Sequence, residues 1–128
     1  MFEKIRIIVG YDDSLQSRKA LEEAMTIAKP FSGFIKVVTA YEKGKLKQAE
    51  TTIAAAEQDL KKERIAHESA LVLGSNPGKV LVSIAKKENF DLIVVGNRGL
   101  GGSASIFLGS VSKQVVSNAY GNVLVVKK

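Results

Sequence analysis

The chain has 128 residues, 45% hydrophobic and 25% charged, with a formal net charge of +6 and no cysteine. This size and balance fit one globular domain, residues 1–128, and argue against disorder or a fibrous class. Lack of cysteine excludes disulfides, thiolate metal sites and thiol catalysis, and the lone His67 excludes any site that needs two imidazoles.

In chain order, Ile5-Arg6-Ile7-Ile8-Val9 is the first of five short runs rich in β-branched residues and is predicted to be a strand. Asp13 or Ser14 can cap the helix that follows, in which Ala20, Leu21, Ala24, Met25 and Ala28 recur at spacings of three and four until Lys29-Pro30 stops it. A second strand is expected over Ile35-Lys36-Val37-Val38-Thr39. Residues 44–64 then place Leu46, Ala49, Ile53, Ala56 and Leu60 on one face of a long amphipathic helix.

Ala70-Leu71-Val72-Leu73 reads as the third strand, and Asn76-Pro77 as the cap and first residue of a helix with Val80, Leu81, Ile84 and Ala85 facing inward. The fourth strand is Leu92-Ile93-Val94-Val95. A fourth helix reaches about Tyr120, with Val111, Val115 and Ala119 inward and with both Ser103 and Ser110 able to cap it. Val123-Leu124-Val125-Val126 is the fifth strand.

Strands this continuously apolar are expected to be covered on both faces. The order βαβαβαβαβ therefore predicts an α/β fold, a single doubly wound domain whose five-stranded parallel sheet carries helices on both faces. Ligands of such sheets bind beyond the carboxyl ends of the strands, where strand order reverses. That directs attention to residues 10–14, 39–43, 74–77 and 96–110.

The last of these segments spaces Gly96, Gly99, Gly101, Gly102 and Gly109 between a strand and a helix, where amide groups and the helix dipole favour an anion. Other phosphate motifs fail. Gly74 to Val80 has too few residues between its glycines for a P-loop, and valine follows the lysine. Gly99 to Ala104 has the letters of a dinucleotide fingerprint but follows the fourth strand, and no acidic residue lies between 97 and 128. No G-x-S-x-G elbow is present, and His67, placed ahead of the third strand, reads as a surface or capping group.

The spacing that fits is Gly96-Asn97-Arg98-Gly99, nine residues, then Gly109-Ser110. It resembles the G-x2-G-x9-G-[S/T] nucleotide-binding signature of the universal stress protein family. The opening IRIIVGYDDSLQSRKAL and the closing NVLVVKK are similar to that family's first strand and helix and its terminal strand.

The resemblance implies an adenine nucleotide alpha hydrolase-like fold holding ATP or AMP. Its site would comprise Gly10 and Asp12 at the end of the first strand, Ala40 at the end of the second, Gly96, Asn97, Arg98 and Gly99 in the loop, and Gly109, Ser110 and Val111 at the start of the last helix. Gly96 and Gly99 would admit ribose and phosphates, and Arg98 would add positive charge. Asp13 stands where the family often has glycine, and the stretch from Tyr41 to Lys45 is short and lysine-rich. The adjacent carboxylates of Asp12 and Asp13 would either repel a polyphosphate or recruit Mg2+ or Mn2+ with it. Tyr11, Tyr41 and Phe107 are candidate pocket walls.

The resemblance also implies a homodimer joined through the terminal strand, Val123–Val126, which would cover an otherwise open apolar edge. A nucleotide-responsive sensor or binding module with slow turnover at most is expected; an adenylating enzyme and a nucleotide-free dimeric interaction protein are the alternatives. No membrane is expected as a partner, since no apolar run approaches the roughly 18 to 20 residues of a span, and the location implied is cytoplasmic. Nucleic acid is not expected either, because the lysines lie in scattered short groups with almost no aromatic residues between them.

Overall fold

The computed structural model describes residues 4–97 and 110–127. Its elements follow the predicted alternation: β1 (Arg6–Gly10), α1 (Leu15–Ala28), a 3-10 turn (Lys29–Phe31), β2 (Phe34–Tyr41), α2 (Leu46–Lys62), β3 (Ala66–Leu73), α3 (Pro77–Lys87), β4 (Leu92–Gly96), α4 (Ser110–Asn118) and β5 (Asn122–Val126). The strands form one five-stranded sheet in the order β3-β2-β1-β4-β5. Every pairing is parallel, with Ile8 of β1 opposite both Lys36 of β2 and Ile93 of β4.

Because side chains alternate along a strand, each central strand feeds two cores. Ile7 and Val9, with Ile35, Val37 and Val94, pack under Ala20, Leu21, Ala24 and Ala28 of α1 and Ile53, Ala56 and Leu60 of α2. Ile8, Val38, Ile93 and Val95 pack under Leu81 and Ala85 of α3 and Val115 of α4 on the other face. The apolar stripes expected of the helices are thus the ones turned to the sheet, except that Leu46, at the first position of α2, is exposed because the helix has only begun there.

Helix ends use local chemistry. Of the two candidate caps for α1, Ser14 takes the role: its side chain accepts from the Ser17 N–H. Asn76 caps α3 in the same way, accepting from the Lys79 N–H at 3.2 Å with Pro77 in the first helical position. α4 runs from Ser110 to Asn118, so it ends just short of the expected Tyr120, and Ser103 lies outside the described residues.

β3 departs from expectation. It begins at Ala66, not Ala70, and so takes in His67, which does not precede the strand but belongs to it. Three of the four added residues, His67, Glu68 and Ser69, are polar, and each has a partner. Glu68 meets the buried Lys36 of β2 at 2.9 Å, the Ser69 hydroxyl donates to Glu57 of α2, and His67 Nδ1 lies 2.8 Å from the Ile65 carbonyl. β3 is an edge strand, bonded only to β2, so continuous apolarity is not required of it. Lys36 also donates to Glu88 at 2.9 and 3.1 Å. Burial alone would lower its pKa, but the two carboxylates outweigh burial and hold it above the ordinary lysine range.

β5 forms the opposite edge of the sheet. Among the described residues, no helix is long and apolar enough to cross a membrane.

Candidate functional site

Sheet order reverses between β1 and β4: the chain builds outward from β1 through β2 to β3, then crosses to β4 and β5. Beyond the carboxyl ends of these strands the crossover connections diverge and leave a crevice, the usual ligand position in an open α/β sheet. A cleft of about 570 Å³, open solvent included, lies there. Its apolar lining comes from Val38 of β2, Val95 of β4, Leu81 and Pro77 of α3 and Val111 of α4, while Asp12, Ser14 and Ser17 supply polar groups from the β1–α1 side.

The β1–α1 turn is tightly determined. Tyr11 continues the β1–β2 ladder, its N–H donating to the Val38 carbonyl at 2.9 Å and its own carbonyl accepting the buried Thr39 hydroxyl at 2.8 Å. The Asp12 N–H donates to Ser17 Oγ at 3.2 Å, and the Asp12 carboxylate accepts the Ser14 N–H at 3.0 Å. Asp13 has φ of 64°, in the left-handed region, and its Oδ1 accepts the Tyr11 hydroxyl at 3.0 Å with Arg18 Nε 3.6 Å away. Burial, then the bond to Asp13, pushes the Tyr11 hydroxyl well above the usual phenol range, so it remains a donor.

These bonds bear on the expected cation. The two carboxylates are engaged separately, Asp12 by a backbone amide and Asp13 by Tyr11 and Arg18, so they do not converge on one point. Among the described residues, no group of three or more Asp, Glu, His or Cys side chains is arranged to hold a metal ion.

At the end of β4 the bare Cα of Gly96 faces α1. A Cβ there would lie 2.7 Å from Gln16 Cβ and 2.8 Å from the Gln16 carbonyl carbon and oxygen. Packing of α1 therefore accounts for this glycine, where the sequence suggested room for a ribose or phosphate. Gly10 has a comparable reason, since a Cβ on it would come 2.7 Å from Leu81 Cδ1. The Asn97 N–H is taken up by the Val126 carbonyl at 2.8 Å, which leaves it unavailable to a phosphate. Asn97 Oδ1 is buried without a hydrogen-bond partner among the described residues.

Of the residues singled out from sequence, Gly10, Asp12, Ala40, Gly96 and Val111 line one cleft, and so does Tyr11. Asn97 is buried beside the cleft lining and Ser110 is exposed at the start of α4; neither lines the cleft. Tyr41 does not line it either. Arg98, Gly99, Phe107 and Gly109 lie outside the described residues. Sequence reasoning missed Val38, Leu81 and Val95 as lining groups, although it placed all three on strands or an inward helix face. It also missed Ser112, whose buried hydroxyl donates to the Gly96 carbonyl and lies 3.3 Å from the Asn97 carbonyl, tying α4 to the end of β4.

A crevice with an apolar interior and a rim of Asp12, Ser14 and Ser17 suits a flat ring system that carries hydroxyl groups. The profile of the universal stress protein family matches residues 5–127. A Thermus aquaticus relative, "Universal stress protein in QAH/OAS sulfhydrylase 3'region", is 34% identical over 136 residues, which cover 94% of this chain and 97% of that protein. Among solved structures, a universal stress protein in complex with cAMP superposes with a TM-score of 0.81 and 31% identity, covering 97% of each chain. The universal stress protein from Archaeoglobus fulgidus in complex with dAMP shares the fold, with a TM-score of 0.78 and 23% identity over 94% of this chain and 96% of that one. With the profile matched from the first strand to the last and a relative aligned over nearly its full length, the chain belongs to the universal stress protein family.

Proposed function

We propose that this chain is a nucleotide-responsive binding module that takes an adenine nucleotide, ATP or AMP, in the cleft between β1 and β4. The observation that carries this reading is the cleft itself. It sits at the strand-order reversal, with Gly10, Ala40, Val95 and Val111 around an apolar interior and Asp12 at its polar edge. The cAMP complex of a relative 31% identical supports the ligand class.

In this reading Val38, Leu81 and Val95 meet the base, backbone groups at Gly10 and Ala40 meet its edge, and Asp12 accepts from a ribose hydroxyl. Gly96, Arg98, Gly99, Gly109 and Ser110 surround the phosphates, and the amide end of α4 adds its dipole. A divalent ion, Mg2+ or Mn2+, would enter with the polyphosphate and be held mainly by it. Turnover is slow at most, and the module reports nucleotide state in a cytoplasmic stress response. Residues 1–128 act as one domain, and two copies join along Val123–Val126 of the β5 edge.

Titration calorimetry and thermal unfolding with AMP, ATP, cAMP and GMP test the reading. An adenine nucleotide at 100 times its dissociation constant should add about 2.7 kcal/mol to stability. No response to any of the adenine nucleotides at millimolar concentration, or an equal response to GMP, would reject it.

A further inference from the structure

The turn between β1 and α1 holds a residue in a conformation its side chain disfavours. Asp13 has φ of 64°, which glycine adopts freely and which aspartate tolerates only at some cost. Such a conformation persists only where its surroundings over-determine it.

Here two groups converge on one atom. Asp13 Oδ1 accepts the Tyr11 hydroxyl at 3.0 Å and faces Arg18 Nε at 3.6 Å. Tyr11 is itself firmly held: its backbone N–H and carbonyl are both bonded to β2, it lies in the core cluster under α1 and α2 as well as at the cleft lining, and it is 3% exposed. The bond from residue 11 to residue 13 closes over Asp12, whose own amide and carboxylate are bonded to Ser17 and Ser14. Asp13 is not needed as the helix cap, because Ser14 fills that role.

We propose that Tyr11 and Arg18 clamp Asp13 in its left-handed conformation and thereby aim Asp12 at the cleft, so that Tyr11 is a positioning residue for the nucleotide as well as part of the wall. The inference rests on the nucleotide reading above. It assigns the phenol a function that an apolar ring of the same shape could not supply, and its hydroxyl stays protonated because it is buried and bonded to Asp13.

The test is a double-variant cycle with Tyr11→Phe, Asp13→Gly and the two combined, followed by AMP and ATP titration and by urea unfolding. In the native background Tyr11→Phe should weaken nucleotide binding roughly fivefold, the size of one lost hydrogen bond, and lower the urea midpoint. In the Asp13→Gly background both effects should vanish, since glycine needs no clamp. Equal weakening in both backgrounds would mean that the hydroxyl meets the nucleotide directly, and unchanged affinity in the native background would mean that it positions nothing; either overturns the proposal. Coupled urea midpoints in a chain that binds neither nucleotide would reject the nucleotide reading, and the positioning role with it, while leaving the clamp as an element of the fold.

Discussion

The Cα of Gly96, at the end of β4, rests against the backbone of Gln16 in the first turn of α1, and a Cβ on it would fall 2.7 Å from Gln16 Cβ. This contact brings α1 close to the cleft edge and so helps to shape the site without touching a ligand. Because the obstructing atoms include main chain, a substitution at this glycine must move the helix, and no rotamer change relieves it.

Gly96→Ala is therefore expected to cost about 1–3 kcal/mol by overpacking, read as a lower urea midpoint with unchanged slope. Gly44→Ala is the contrasting variant. Gly44 has φ of 88° but nothing within 4 Å of its added Cβ, so its cost should be only the backbone preference, about 1 kcal/mol. A loss at Gly96 no larger than at Gly44 would show that α1 yields easily.

Ser112→Ala removes the hydroxyl that bonds the Gly96 carbonyl inside the protein. A buried acceptor without its donor should cost about 1–3 kcal/mol. Gly96 and Val111 both line the cleft and Ser112 joins their elements, so nucleotide affinity should fall along with stability. Calorimetry on the variant checks this, and unchanged affinity would separate α4 from the site.

Leu81 covers Gly10 at the cleft floor and is 2% exposed. Leu81→Ala should cost about 2–5 kcal/mol through lost burial and the void left behind. The void opens into the cleft, so affinity for AMP should drop while a larger, base-substituted adenosine phosphate loses less. Parallel titrations of the two ligands decide it.

Alkaline pH should weaken the fold. The Lys36 pKa is raised in the folded chain, because the attraction of Glu68 and Glu88 outweighs burial, and the Tyr11 pKa is raised by burial and by Asp13. For both groups the unfolded chain releases its proton first, so their contribution is complete below their ordinary values, about 10 to 10.4, and fades as pH climbs through the raised ones. Lys36→Met and Tyr11→Phe should each remove part of the decline in urea midpoint above about pH 10. An identical decline in both variants would contradict the assignment.

Much of the architecture was legible in the local sequence. Apolar spacing of three and four marked α1 to α4, β-branched runs marked the strands, and Ser14, Asn76-Pro77 and Lys29-Pro30 marked helix ends, because period and capping depend on residues within a turn or two of each other. The first four residues of β3 were illegible because their partners, Lys36 and Glu57, are distant in sequence. The motif glycines drew attention to the end of β4, where Gly96 lines the cleft, yet the atoms that require Gly96 to be bare belong to Gln16, eighty positions earlier.

By itself, then, the sequence determined the type and order of the described strands and α-helices and directed attention to the edge of the sheet where the cleft lies. Tertiary structure decided which strands are neighbours, that Val38, Leu81 and Val95 share one cleft, and that the Tyr11 hydroxyl and Arg18 Nε meet at Asp13 Oδ1. The physical reason is range: hydrogen bonds within a helix or cap are settled by adjacent residues, whereas the burial that places β4 beside β1 depends on the whole sheet.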